Sequence, residues 1–164
     1  MAFGTGTHPT TVMCLQALEK TVKPGDYVTD VGTGSGVLAI GAALLGGKHV
    51  HALDLDEVAV RSAKINIKLN KVQETAVVVH GNLLDTVKEQ SDVVVANILA
   101  EIIMSFTNDA FQVVKEGGVY ITSGIIGAKK DDVKLSLEAA GFVIEEVMMM
   151  EDWVTILSRK PVRE

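Results

Sequence analysis

The chain has 164 residues of which 48% are hydrophobic, enough to fill one sizeable core, so a single domain over 1–164 is expected. Its 15 basic residues stand against 21 acidic ones, a formal charge of -6, which argues against a general grip on phosphate backbones and favours a basic protein or a small molecule as partner. No apolar run reaches roughly 18 residues and no charged leader opens the chain, so no membrane span is expected. The single cysteine, Cys14, excludes an internal disulfide and suits a reducing, cytoplasmic setting.

Residues 1–26 read as a lid segment followed by a helix. The Gly/Thr-rich stretch 3–11 lacks hydrophobic periodicity and runs directly into a helical pattern at 13–18. A ligand lid and a disordered terminus capped by Thr10 or Thr11 are both open here. Apolar β-branched runs follow at 27–31, 49–53, 76–80, 92–96 and 119–123. Near-continuous Val/Ile runs suit strands buried on both faces, which makes them parallel. Helical patterns separate most of them, at 37–45, 57–70, 98–114 and 128–140, with Asp56 as the cap of the second and Gly117 and Gly118 as the stop of the third. On the second of these helices Ala59, Ala63, Asn66, Ile67 and Asn70 share a face, with Lys64 and Lys68 outward. The chain closes on two antiparallel strands, 142–150 and 153–158, joined at Glu151 and Asp152. The expected class is α/β, a doubly wound, mostly parallel seven-stranded sheet with a C-terminal antiparallel hairpin.

The first strand runs into Asp30-Val31-Gly32-Thr33-Gly34-Ser35-Gly36, and the second ends at Asp54. Alternate glycines make a tight turn that lets a ligand approach the backbone, and an acid about 20 residues on is placed to bind ribose hydroxyls. The turn therefore reads as a nucleoside-cofactor site, with Gly32, Gly34 and Asp54 on the ligand. A carboxylate just before the first glycine repels the pyrophosphate of a dinucleotide. It attracts the cationic S-adenosylmethionine, and Val37 stands where a dinucleotide fingerprint continues toward its third glycine. Asp30 has two open roles, a ligand contact and a cap for nearby backbone N–H groups.

In a parallel sheet the strand C-termini share one rim, which adds Asn82, Leu83, Asn97 and Ile98. Asn82 suits the adenine edge and Leu83 its face; an ordinary loop is the alternative. Asn97 follows four apolar residues, where its carboxamide oxygen can accept from an attacking amine, or alternatively cap the helix behind it. His49 and His51 share a strand face, but no third ligand completes a metal set, so no metal is expected.

With these residues assembled, the chain resembles the PrmA-type ribosomal protein methyltransferases from Ala2 to Lys160. The segments that carry the resemblance are AFGTGTHPTT, DVGTGSGVLAI, LDLD and VVANILA. It implies a Rossmann-like methyltransferase sheet, S-adenosylmethionine as donor, and transfer to lysine ε-amines and an α-amine of a large-subunit ribosomal protein. It also implies cofactor roles for Thr11, Gly32, Asp54 and Asn97, closure of Phe3 and Thr7 over the methionine end, and acceptor roles for Asn97 and the Ile98 carbonyl. The family's separate N-terminal recognition domain is expected to be absent from these residues. Many amino-group methyltransferases carry Asn-Pro-Pro-Tyr where this chain has Asn97-Ile98-Leu99-Ala100, and the missing aromatic suits a flexible amine better than a nucleobase.

Overall fold

The structure, a computed structural model, describes residues 8–81 and 89–163. Helix α1 (Pro9–Thr21) leads into β1 (Tyr27–Val31), α2 (Val37–Leu44), β2 (His49–Asp54), α3 (Glu57–Leu69), β3 (Ala76–His80) and β4 (Ser91–Asn97). Two short helices follow, α4 (Ala100–Ser105) and α5 (Thr107–Val113), then the long strand β5 (Val114–Ile126), a 3₁₀ turn (Gly127–Lys129), α6 (Lys130–Ala140), β6 (Val143–Met150) and β7 (Trp153–Arg159).

The seven strands form one sheet in the order β3-β2-β1-β4-β5-β7-β6. The first five run parallel, and β7 enters antiparallel between β5 and β6. This is the mostly parallel, seven-stranded Rossmann-like sheet with a C-terminal antiparallel hairpin expected from the sequence. Strand order reverses between β1 and β4, which opens a crevice at their carboxyl ends.

Two apolar layers sandwich the sheet. On one side Leu18 of α1, Ala39 and Ala42 of α2 and Ala63 of α3 pack on Val28, Val50 and Val95. On the other Ile103, Phe106, Ala110 and Leu137 pack on Val94, Tyr120 and Ile156. Small residues let the first layer sit close: a Cβ on Gly41 of α2 would stand 2.8 Å from Leu15 Cδ2 of α1. Asp56 caps α3 as expected, its Oδ1 accepting from Val58 N at 2.9 Å. The buried stripe of α3 is Val60, Ala63 and Ile67; Asn70, expected on that face, is exposed.

The expected helix over 98–114 is two helices, broken at Phe106 (φ -128°). The hydroxyls of Ser105 and Thr107 donate to the carbonyls of Ile102 and Ile103 at 2.6 and 2.9 Å. Such back-bonding competes with the helical ladder and bends it. The glycine pair expected to stop that helix lies inside β5 instead. Register against β4 jumps from Ser91 opposite Val114 to Val93 opposite Val119, so Gly117 (φ +79°) belongs to a bulge. Among the described residues no helix is long and apolar enough to cross a membrane, and no group of three or more His, Cys, Asp or Glu could hold a metal ion.

Candidate active site

The turn after β1 is built from backbone that only glycine accepts readily. Gly32, Gly34 and Gly36 have φ of +73°, +56° and +88°. Both Gly32 N and Thr33 N donate to Leu53 O at 2.9 Å, which fastens the turn to the end of β2. A Cβ on Gly36 would meet Ala63 at 3.3 Å, so this glycine lets α3 lie close, whereas a Cβ on Gly34 would meet nothing within 4 Å. The open side of the turn is therefore at Gly34.

Asp54 is tied to that side. Its Oδ2 accepts from Gly34 N and its Oδ1 from Asp56 N, each at 2.9 Å. A carboxylate oxygen accepts more than one hydrogen bond, so each keeps capacity for a ligand hydroxyl. Asp54, Gly32, Gly81, Asn97, Ile98 and Leu99 lie around one cavity of about 310 Å³ at the rim. This volume falls in the range of small-molecule sites.

Asp30 is not in the lining of that cavity. It is buried behind the turn, where its Oδ2 accepts from Thr33 Oγ1 at 2.8 Å and the backbone N–H of Ala39 at the start of α2 adds a weaker favourable contact. Burial pushes its carboxyl up from the ordinary 3.8 to about 7; the Asp54 charge adds to the rise and the Thr33 hydroxyl opposes it. The side chain thus braces the turn from below. Cys14 is likewise interior, and burial pushes its thiol up to about 12, so it has the character of a packing residue.

Asn97 ends β4, and α4 starts at a different residue: its N-cap is Leu99, with no side-chain cap bond. The capping role weighed for Asn97 is therefore not used. The carboxamide is buried, its Nδ2 donating to Thr10 Oγ1 at 3.3 Å and its Oδ1 without a partner among the described residues. His8 Nδ1 caps α1 by accepting from Thr10 N at 3.2 Å. Thr10 Oγ1 lies 2.8 Å from that nitrogen and accepts from Asn97 Nδ2. The amide hydrogen turns to Thr10, which leaves Oδ1 as an acceptor without a donor among the described residues. A buried acceptor of this kind can take a hydrogen bond from a ligand.

Sequence reasoning chose Thr11 in this segment. Thr11 is buried on α1 and does not line the cavity, and its neighbour Thr10 makes the bond to Asn97. His8, packed edge-on against Trp153 of β7 at 5.0 Å, was also missed. The signal was present in the segment His8-Pro9-Thr10, where a cap precedes a proline at the first helical position. Phe3, Thr7, Asn82 and Leu83 lie outside the described residues.

A family model described as "Ribosomal protein L11 methyltransferase (PrmA)" matches residues 1–161. The chain belongs to this PrmA family. It is 66% identical over 161 residues to the ribosomal protein L11 methyltransferase of Geobacillus kaustophilus, covering 98% of this chain and 52% of that protein. The corresponding protein of Geobacillus thermodenitrificans is 67% identical over 161 residues, again with 98% and 52% covered. The chain thus spans about half the length of the curated relatives it matches. Among solved structures, a ribosomal protein L11 methylase from Lactobacillus delbrueckii subsp. bulgaricus superposes with a TM-score of 0.90 at 33% identity, covering 95% of this chain and 81% of that one.

S-adenosylmethionine is the cofactor that goes with this family, and the residues present fit it. The turn lacks side chains on its open side at Gly34, Asp54 offers carboxylate oxygens beside it, and among the described residues the cavity lining carries no cationic side chain of the kind a pyrophosphate attracts.

Proposed function

We propose that this chain is the catalytic unit of a protein N-methyltransferase that transfers methyl groups from S-adenosylmethionine to lysine ε-amines and an α-amine of ribosomal protein L11. The observation that carries the reading is the Oδ1 of Asn97, which has no partner among the described residues, in the lining of a cavity that Asp54 and Gly32 also line. When bound, the cofactor supplies an electrophilic methyl on a sulfonium. The protein's task is to deliver a neutral amine to it.

A free lysine has a pKa near 10.4, so the ammonium form dominates in water and cannot attack. Apolar walls from Val31, Leu53, Leu99 and Ile102 penalise the charged form at this rim. Asn97 Oδ1 and the Ile98 carbonyl then accept the two amine hydrogens, which leaves the lone pair for the methyl. Asp54 holds the ribose and the glycine turn accommodates the cofactor backbone. Asp30 contributes through Thr33 and the turn, as a positioning residue. The proton leaves to solvent, with no dedicated general base required.

A cytoplasmic setting goes with this reading, because ribosomal proteins are made and assembled there. Thermal-shift measurements with S-adenosylhomocysteine and with NADH test the cofactor, and labelled S-adenosylmethionine offered with ribosomal protein L11 or with ribosomal RNA tests the acceptor. Stabilisation by S-adenosylhomocysteine alone and label on the protein support the proposal. Label on RNA instead, or stabilisation by NADH, contradicts it.

A further inference from the structure

Strand β5 is irregular beside the site. Its pairing with β7 jumps between Thr122 and Ile125, while on its other side Ser123 stays opposite Asn97 and accepts from Ile98 N at 3.1 Å. The residue in the irregularity is Gly124, at φ +80°. A Cβ there would stand 2.5 Å from the Ile98 carbonyl oxygen, 3.0 Å from Ile98 N and 3.1 Å from Asn97 Oδ1. Both acceptor oxygens of the proposed reaction therefore converge on the small space that a missing side chain leaves. On the far side of the same segment, a Cβ on Gly32 would stand 2.6 Å from Ile98 Cγ2. Asn97 and Ile98 are clasped between two glycines, one on the cofactor turn and one on β5.

We propose that Gly124 is a positioning residue for transfer: the bulge it forms keeps Asn97 Oδ1 and the Ile98 carbonyl close together and free of the Cβ that would crowd both, so that one amine can donate to the pair. This rests on the functional reading above. The bulge has its own fastening, because Ser123 Oγ and Thr155 Oγ1 lie 2.6 Å apart in the interior. Bulges beside active sites commonly re-aim the groups around them.

The test compares Gly124→Ala with Gly25→Ala, which places a side chain at a similar φ of +89° with nothing within 4 Å. Gly25→Ala thus carries the backbone strain without the clash. Single-turnover transfer to ribosomal protein L11, S-adenosylhomocysteine affinity and the side-chain amide resonance of Asn97 are read for each. Gly124→Ala is expected to slow transfer by about tenfold or more, with cofactor affinity held within about threefold and the Asn97 resonance shifted. Gly25→Ala is expected to leave all three near the parent. A folded Gly124→Ala protein with transfer within about twofold of the parent and an unmoved resonance overturns the proposal.

If Gly124→Ala fails to fold, Thr155→Val decides. It removes the fastening without touching the cavity, and a parental rate and resonance would overturn the proposal, whereas a rate lowered by about threefold with unchanged cofactor affinity supports it. If the parent transfers no methyl group, the functional reading fails, and the Asn97 resonance alone decides whether Gly124 positions the carboxamide.

Discussion

Asp54 and Asn97 show how differently single residues announce themselves. The place of Asp54 beside the glycine turn was legible in the sequence because the arrangement is local: an acid at the end of the strand that follows the turn, 20 residues from the Gly34 N–H it accepts from. Asp54→Ala removes that bond and, on the proposed function, the ribose contact, so S-adenosylhomocysteine binding should weaken by about 1.5 to 3 kcal/mol. Calorimetry reads this directly, and an affinity within about twofold of the parent contradicts the ribose assignment. Thr10 and Gly124 were not legible in this way. Thr10 meets Asn97 across 87 positions of sequence, and the crowding at Gly124 exists only once β5 pairs with β4.

Asp30 was read as a ligand contact or a cap, and its burial gives it a measurable signature of another kind. Its folded pKa, about 7, lies above its ordinary 3.8. Between those values the unfolded chain gives up the proton and the folded one keeps it, so this group's contribution to stability falls as pH rises through the window and is level above it. Asp30→Asn should abolish that fall. Thermal midpoints across the window should then favour the variant over the parent more at about pH 8 than at about pH 4, and an unchanged difference would refute the assignment.

At the scale of elements, the parallel strands were the most legible part, since Val/Ile runs buried on both faces leave little alternative. Strands β1 and β3 have the expected bounds, and β2 and β4 extend beyond theirs by one residue or two. The region from 98 to 118 was misread because its apolar pattern is continuous while the backbone is not. Serine and threonine hydroxyls at Ser105 and Thr107 take carbonyls that a longer helix would use, and two glycines that suit a helix stop equally suit a bulge. The cap of α3 was correctly placed, and it isolates an element from the chemistry. Asp56→Ala should lower stability by about 1 kcal/mol in denaturant unfolding. Cofactor affinity should hold, because the bond that Asp54 accepts comes from the backbone N–H of residue 56.

The whole molecule places its rim cavity where a doubly wound sheet allows one, at the carboxyl ends of β1, β2 and β4, beside the reversal of strand order. The antiparallel hairpin closes the other flank and brings Trp153 against His8, so the segment that orients Asn97 is held by the last strand of the sheet. Substrate capture draws on whatever raises the amine's effective concentration at the sulfonium, and the chain covers about half of its curated relatives. The most direct measurement of the central claim is intact-mass spectrometry of ribosomal protein L11 after single-turnover incubation with S-adenosylmethionine and either the parent chain or Asn97→Ala. The parent should add whole methyl increments confined to amines, and the variant should add few or none while still binding S-adenosylhomocysteine. Equal methylation by both, or a parent that binds the cofactor and leaves every amine unmodified, would contradict the account.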